Sequence, residues 1–269
     1  MTASGTPHVG TLLRDWRQRR RYSQLDLALE AEISQRHLSF VESGRAQPSR
    51  QMLLHLAEHL EIPLRDRNAL LLAGGFAPVY PQRPADERGR AELQQALRLV
   101  LDGHAPNPAL VVDRRWNLVA ANPPAELFLR GVDAALLVPP INMIRVSLDP
   151  RGLAPRIRNL ADWRRHIVER LKRQLRMTGD EAIADLLTEI DQLPRIGSDN
   201  DAHAPPDPMA LVLPFEVETD VGLVSMIATT TVFGTAVEVM LSELTLETFY
   251  PADATSAARL RQMVQQADS

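Results

Sequence analysis

The sequence predicts two domains, an all-α bundle followed by an α+β domain with a mainly antiparallel sheet. Short amphipathic segments with helical spacing fill the first 75 or so residues, whereas apolar and polar residues alternate after about residue 210. A Pro- and charge-rich stretch, residues 78–90, lies between the two parts. Residues 1–83 hold 11 arginines and 8 acidic residues, whereas the remainder holds 19 basic and 26 acidic residues. This asymmetry indicates two modules with different partners.

The composition excludes several classes of protein. The chain has no cysteine, which excludes disulfides and thiolate metal sites and favours a cytoplasmic location. The first residues lack a basic region followed by an apolar core, and no apolar run reaches the roughly 18 residues that span a bilayer. We therefore expect a cytoplasmic protein that has no membrane partner.

The first module is predicted to contain five short helices in about 70 residues. The first helix carries an apolar stripe with helical spacing, formed by Val9, Leu12, Leu13 and Trp16. Ser23 and Ser34 each precede a further helix as an N-cap, and Pro48-Ser49 starts the fourth helix. Gly44 ends the third helix, Pro63 precedes the fifth, and Gly74-Gly75 stops it.

Residues 9–75, which include LRDWRQRRRYSQLDLALEAEISQRHLSFVESGRAQPSRQMLLHLAEHLEI, resemble the Cro/CI-type (XRE) helix-turn-helix. The resemblance implies a DNA-binding domain at 1–77 whose second motif helix enters the major groove of double-stranded DNA. By position, the residues that face DNA would be Gln24, Ser34, Gln35, Arg36, His37 and Ser39. Those that hold phosphates would be Gln24, Arg45, Ser49 and Arg50.

Base contacts follow from the same assignment. Arg36 can fork onto guanine O6 and N7, and Gln35 onto adenine. Glu32 stands where the motif turn usually has glycine, so a positive φ costing about 1 kcal/mol is expected there. Arg17 and Glu42 occupy positions that pair within the bundle. The alternative for the whole stretch is a helical protein-interaction domain with surface arginines.

Residues 55–59, HLAEH, match the pattern of some zinc peptidases. The helix that carries them belongs to the bundle, and no third ligand is obvious. We therefore expect surface histidines, with no metal and no cofactor.

The second module begins with a predicted helix over 91–104 and a hairpin with strands at 109–113 and 116–121. Helices are expected from 125, over 156–176 and over 180–193, followed by a polar loop at 196–208. Three antiparallel strands follow. The first has Leu211, Leu213, Phe215 and Val217 on one face, and the second spans 226–232. A turn at 233–235 leads into the third strand, whose apolar residues are Val237, Val239 and Leu241, then Leu244 and Leu246. The switch from odd to even numbers predicts a bulge near 242–243. This is the element order of a PAS-like α+β domain.

This half resembles the ligand-binding domain of MmyB-like transcription regulators. The resemblance is carried by NPALVVDRRWNLVAAN, INMIRVSLDPRGLAPRIRNLADWRRHIVERL and TTTVFGTAVEVMLSELTLETFYPAD. It places a sensor domain at 92–260, after a linker at 78–91 and before a tail at 261–269. It also implies a small apolar ligand, with a fatty acid suggested within the family.

Such a ligand needs apolar walls and a polar anchor. The candidate walls are Trp116, Phe128, Met143, Trp163, Phe215, Met226 and Phe233, each of which could instead simply pack the core. The candidate anchors are Asn142, Arg145, Arg158, His166 and Tyr250. Arg145 lies between two apolar residues and would meet either a buried partner or a ligand. We expect a solvated helix face or a dimer surface for five arginines: Arg158, Arg164, Arg165, Arg170 and Arg173.

We do not expect an enzyme, because the sequence lacks a cysteine nucleophile, a G-x-S-x-G elbow and a Gly-rich phosphate loop. Non-adjacent Ser, His and Asp residues leave open an enzyme with an appended helix-turn-helix. The expected function is a homodimeric transcription regulator that binds a palindromic operator and whose second domain binds an effector that modulates this binding. The alternative is a helix-turn-helix repressor controlled by a protein partner.

Overall fold

The computed structural model describes residues 8–81, 87–194, 212–233 and 239–267. The chain forms two compact units, one of residues 1–84 with 234–242 and one of residues 85–233 with 243–269. Each unit has its own apolar core. This confirms the two-domain layout. Within the described ranges, no helix is both long and apolar enough to cross a membrane.

The first unit begins with the five predicted helices: α1 (Val9–Arg19), α2 (Gln24–Glu30), α3 (Gln35–Glu42), α4 (Arg50–His59) and α5 (Leu64–Ala73). The caps predicted at Ser23 and Ser34 are confirmed, since the side chain of each accepts a backbone N–H of its helix, and Ser49 caps α4 in the same way. Gly44 adopts φ +75 at the end of α3, and Glu32 adopts φ +50 in the turn before α3, as expected. The sequence therefore predicted this unit nearly completely.

Helices α1 and α3 approach closely at Gly10. A Cβ at this position would lie 2.3 Å from the Val41 carbonyl oxygen, so only glycine fits. Leu38 and Val41 of α3 are fully buried in the same core. The opposite side of α3 is thereby left for solvent.

In the residues that the structure describes, the second unit contains thirteen helices, turns and strands. Its α-helices are α6 (Glu87–Asp102), α7 (Pro123–Phe128), α8 (Met143–Leu148), α9 (Leu160–Thr178), α10 (Glu181–Gln192) and α12 (Ala254–Ala267), and two 3-10 segments span Ala134–Leu137 and Ala154–Arg156. Its strands are β1 (Ala109–Val112), β2 (Leu118–Ala121), β3 (Pro214–Thr219), β4 (Gly222–Val232) and β5 (Thr245–Pro251). Between β4 and β5 the chain forms α11 (Val239–Ser242), which belongs to the first unit. Helix α6 starts before the expected residue 91, and α12 continues through residues assigned to a tail.

The strands form one antiparallel sheet in the order β2-β1-β5-β4-β3. This confirms the mainly antiparallel α+β domain. The hairpin is irregular between Val111 and Val112, and Trp116 in its turn has φ +67. Pairing of β1 with β5 joins the N-terminal hairpin to the C-terminal strands in one sheet.

Two predictions about elements were wrong. The long helix starts at Leu160 rather than at 156, because Ile157 forms a bridge with Val217 of β3. The third C-terminal strand starts at Thr245, and Val239–Ser242 is a helical turn, so there is no bulge near 242–243. An alternating pattern over four residues does not separate a strand from one helical turn. The expected loop at 196–208, together with Leu211, Gly234, Thr235 and Val237, lies outside the described residues.

Segment α11 packs within the first unit. The Val239 N–H donates to the Pro81 carbonyl oxygen at 3.2 Å, and α11 contacts α5. The chain thus leaves the sheet after β4 and returns to it at β5. Sequence patterns gave no signal of this excursion.

Candidate functional site

A buried ion pair fixes α3 within the bundle. Arg17 Nε donates to Glu42 Oε1 at 2.7 Å and Arg17 Nη2 donates to Oε2 at 2.9 Å, which confirms the expected pairing. The side chain of Arg17 is 10% exposed and that of Glu42 is fully buried. Gln24 Nε2 also donates to Glu42 Oε2, at 2.8 Å. A phosphate contact by Gln24 stays a prediction, and in this structure its amide is engaged inside the bundle.

The outer face of α3 carries the predicted DNA-facing side chains. Ser34, Gln35 and Arg36 are exposed, and His37 and Ser39 are partly exposed. Ser34 Oγ accepts the His37 N–H at 3.1 Å and so caps the helix. Leu38 and Val41 point into the core, so polar side chains alone face outward along this part of the helix. The structure therefore brings these predicted residues together on one surface.

Phe40 was missed by the sequence reasoning. The guanidinium carbons of Arg36 and Arg45 lie 5.3 and 5.7 Å from its ring centre, within the range of a cation–π contact. The i, i+4 spacing of Arg36 and Phe40 was the available signal. The partly buried ring gathers two exposed cations at the C-terminal end of α3, where a phosphate or a base edge can meet both.

The start of α4 adds to this surface. Ser49 Oγ accepts the Met52 N–H at 3.2 Å, and both Ser49 and Arg50 are exposed. Backbone N–H groups and a cation at a helix N-terminus favour phosphate. His55, in the zinc-like pattern, instead places Nε2 2.8 Å from the Ala31 carbonyl oxygen.

In the second unit a cavity lies between the sheet and helices α7, α8 and α9. It comprises about 850 Å³ of space free of atoms, including the part that opens to solvent. Every strand except β2 contributes to its lining. The apolar walls are Pro108, Leu110, Trp116, Ala125, Phe128, Leu129, Met143, Ile144, Leu153, Trp163, Ile167, Phe215, Met226 and Phe249. Such a predominantly apolar concavity is suited to a small apolar molecule.

Aromatic rings organise one wall. The ring centres of Trp163 and Phe215 are 4.4 Å apart, and those of Phe215 and Phe249 are 5.7 Å apart. Trp163 Nε1 donates to Ser147 Oγ at 2.9 Å, so the indole N–H is satisfied and the ring is fixed. His166 stacks on Trp163 with 5.7 Å between ring centres. This wall is rigid before any ligand arrives.

A charged pair forms the polar part of the cavity. Arg170 donates from Nη2 to Glu247 Oε1 at 2.6 Å and from Nη1 to Oε2 at 3.0 Å. The Glu247 side chain is 6% exposed and that of Arg170 is 28% exposed. Thr230 Oγ1 donates to the same carboxylate, and Arg170 lies 4.4 Å from the Trp116 ring centre. The pair is thus bidentate and closely packed.

His166 occupies the rim, since it lines the cavity yet is exposed to solvent. Partial burial is the main cause that lowers the pKa of His166, and the nearby Arg170 charge lowers it further. The imidazole is therefore neutral near neutral pH.

Six of the predicted ligand-binding residues line the cavity: Trp116, Met143, Trp163, His166, Phe215 and Met226. Phe128, considered as a wall, lines it too.

The other five predicted ligand-binding residues do not line this cavity. Asn142 caps α8 through the N–H groups of residues 144 and 145. Arg145 and Arg158 form exposed pairs with Glu189 and Glu218. Tyr250 is exposed beside His104, and Phe233 lies past the end of β4. Each predicted anchor except His166 is therefore used elsewhere.

Arg170 and Glu247 were missed. The sequence reasoning placed Arg170 on a solvated face, although it follows Trp163 by seven residues and shares that helix side. Glu247 and Phe249 lie on the cavity face of β5, because residues two apart in a strand share a face. The sequence instead predicted that the apolar face of this strand is the one that carries Leu246. A carboxylate in an apolar strand was the available signal, and its partner 77 residues away was not visible in the sequence.

A helix-turn-helix bundle joined to a sheet domain with an apolar cavity defines a DNA-binding transcription regulator that has a ligand-binding domain. Comparison with known families agrees. Residues 93–263 match the MmyB-like transcription regulator ligand binding domain, and residues 13–66 match a helix-turn-helix family. The first match covers more than half of the chain, so the chain belongs to the family of MmyB-like transcription regulators. These are domains of transcription regulators and not of enzymes. No curated protein matches the chain.

Proposed function

We propose that the protein is a homodimeric regulator that binds a palindromic operator. Its affinity for the operator falls or rises when a small apolar effector occupies the second domain. The observation that carries the proposal is the largely apolar cavity, on the same chain as the helix-turn-helix. We assign DNA binding to residues 1–77, effector binding to 92–260 and the linker to 78–91. A cytoplasmic location fits a protein that acts on DNA.

The DNA-binding part of the proposal is supported by the exposed face of α3. Arg36 reads guanine and Gln35 reads adenine, because both side chains are exposed on the helix that enters the major groove. Arg45, Ser49 and Arg50 hold phosphates beside it. In a dimer, two such helices would meet half-sites about 34 Å apart, one turn of DNA.

The effector part is supported by the walls of the cavity. An acyl chain that leaves water for such walls gains about 0.8 kcal/mol for each buried methylene. A fatty acid is the first compound class that the family resemblance suggests, and long-chain derivatives of fatty acids share the same apolar chain. The ligand-binding residues retained in the proposal are Trp116, Met143, Trp163, His166, Phe215 and Met226, joined by Arg170 and Glu247.

The test is native mass spectrometry of the purified full-length chain, followed by denaturing extraction of bound molecules. The proposal expects a dimer that carries an apolar species, released only on denaturation. A dimer that carries no small molecule and fails to bind added long-chain compounds would contradict the effector part. Co-purification of a stoichiometric protein would favour the alternative, a repressor controlled by a protein partner.

A further inference from the structure

The polar end of the cavity carries no spare positive charge. Among the described residues that line it, the charged side chains are Arg170 and Glu247, and they neutralise each other. We propose that the cavity selects an effector whose polar group is uncharged, such as an alcohol or an amide, over one that ends in an ionised carboxylate. Glu247 is the residue that sets this specificity. The inference rests on the proposed function, since it concerns the same cavity.

The guanidinium of Arg170 is already bound to the carboxylate of Glu247. Both terminal nitrogens of the guanidinium donate to the carboxylate, and Nη2 donates also to Thr230 Oγ1 at 2.8 Å. The Trp116 ring holds the guanidinium from another side. A ligand carboxylate could pair with Arg170 only by taking it from Glu247, and Glu247 would then remain buried without a counter-charge.

Among the described residues, no other cation lines the cavity to receive a carboxylate. Arg145 and Arg158, the expected anchors, form ion pairs at the surface and do not line it. His166 stands at the rim, where burial is the main cause that lowers its pKa, Arg170 lowers it further and Glu247 opposes them, so the imidazole is neutral near neutral pH. An ionised head group would therefore enter an apolar cavity whose guanidinium is already paired with Glu247, and its own charge would be left without a partner.

An uncharged polar group finds partners in the same place. Glu247 oxygens have lone pairs that can accept from a ligand hydroxyl or amide N–H. Ser147 Oγ accepts from the Trp163 indole and retains its own proton to donate. Both side chains line the cavity. A neutral donor and acceptor can thus bind without disturbing the Arg170–Glu247 pair.

The experiment compares dodecan-1-ol, methyl dodecanoate and dodecanoate at about pH 8, where the carboxylate is ionised. Binding to the full-length protein is measured by calorimetry and by the fluorescence of Trp116 and Trp163, which line the cavity. We expect the alcohol to bind at least about tenfold more tightly than the carboxylate, a difference that corresponds to about 1.4 kcal/mol. Equal or tighter binding of dodecanoate would overturn the inference without any variant.

A variant tests the role of Glu247 itself. Glu247→Gln removes the negative charge and frees Arg170, so dodecanoate should bind about tenfold more tightly while dodecan-1-ol changes by less than about threefold. Glu189→Gln makes the same chemical change in the surface pair with Arg145 and should alter neither affinity. Circular dichroism checks that Glu247→Gln is folded.

The outcomes separate the inference from the proposed function. Tight binding of dodecanoate to the wild-type protein, or no gain for dodecanoate in folded Glu247→Gln, contradicts the inference and leaves an apolar effector site intact. If none of the three compounds binds, the proposed effector site and the inference both fail.

Discussion

Arg17 Nε lies 2.7 Å from Glu42 Oε1, and both side chains are buried between α1 and α3. Arg17 Nη1 also donates to the Tyr22 carbonyl oxygen at 2.8 Å, which ties the end of α1 to the same pair. Glu42 therefore connects three parts of the bundle: α1, the turn after it and, through Gln24, the start of α2. The pair thereby fixes how α3 is oriented in the bundle.

Glu42→Ala should destabilise the first unit by about 3–5 kcal/mol, because it leaves the Arg17 charge buried without a partner. Urea unfolding followed by the fluorescence of Trp16, a core residue of this unit, measures the change. Glu58→Ala removes an exposed carboxylate on α4 and should change stability by no more than about 0.5 kcal/mol. Equal losses in the two variants would mean that the pair contributes little.

Arg36→Ala and Arg50→Ala should affect DNA binding differently. Loss of a guanine contact costs about 1–3 kcal/mol on the preferred sequence and relaxes specificity at one position. Loss of a phosphate contact weakens binding to all sequences alike and lowers the slope of log affinity against log salt by about 1. Fluorescence anisotropy with selected and scrambled duplexes separates the two effects. Identical behaviour of both variants on every duplex would refute the assigned roles.

Ala125→Leu should fill part of the cavity, because Ala125 is a buried lining residue. Three added carbons occupy space that ligand methylenes would use, so dodecan-1-ol should bind about tenfold more weakly or worse, given about 0.8 kcal/mol for each methylene. Calorimetry measures the loss. Ala135→Leu, on an exposed 3-10 helix, is the matched control and should retain wild-type affinity. Unchanged affinity in Ala125→Leu would place the ligand elsewhere.

The lowered pKa of His166 predicts a pH dependence of stability. The folded state binds the proton more weakly than the unfolded state, so stability is greatest above the unfolded pKa of about 6.5 and falls as the pH drops toward the lower folded pKa. The effect is small, since the ring remains in contact with solvent. His166→Gln should flatten the dependence of Tm on pH between about 7 and 5.5. If Tm depends on pH in the same way in both proteins, groups other than His166 cause this dependence.

The helix-turn-helix could be predicted nearly completely from the sequence because its signals are local. Ser34 caps α3 by accepting the backbone N–H of His37, three residues further along the chain. Glu32 takes a positive φ in a turn whose length is fixed by its neighbours. Helical spacing likewise places Trp163 and Ile167 on one buried face of α9, since residues four apart share a helix face.

The polar end of the cavity could not be predicted, because its pairing is long-range. Arg170 and Glu247 are 77 residues apart and meet only when β5 inserts beside β1 in the sheet. Arg145 was ambiguous because its apolar neighbours suggested burial. The helix α8 that they form turns Ile144 and Val146 inward and Arg145 outward to Glu189.

The central claim, that an apolar effector in the second domain modulates operator binding, is tested most directly by one titration. Affinity of the full-length protein for a duplex selected from a random library is measured by fluorescence anisotropy with and without saturating dodecan-1-ol. We expect a change of about 5- to 150-fold, the usual range of allosteric coupling, and no change in Ala125→Leu. An operator affinity that stays the same while calorimetry shows the cavity occupied would contradict it.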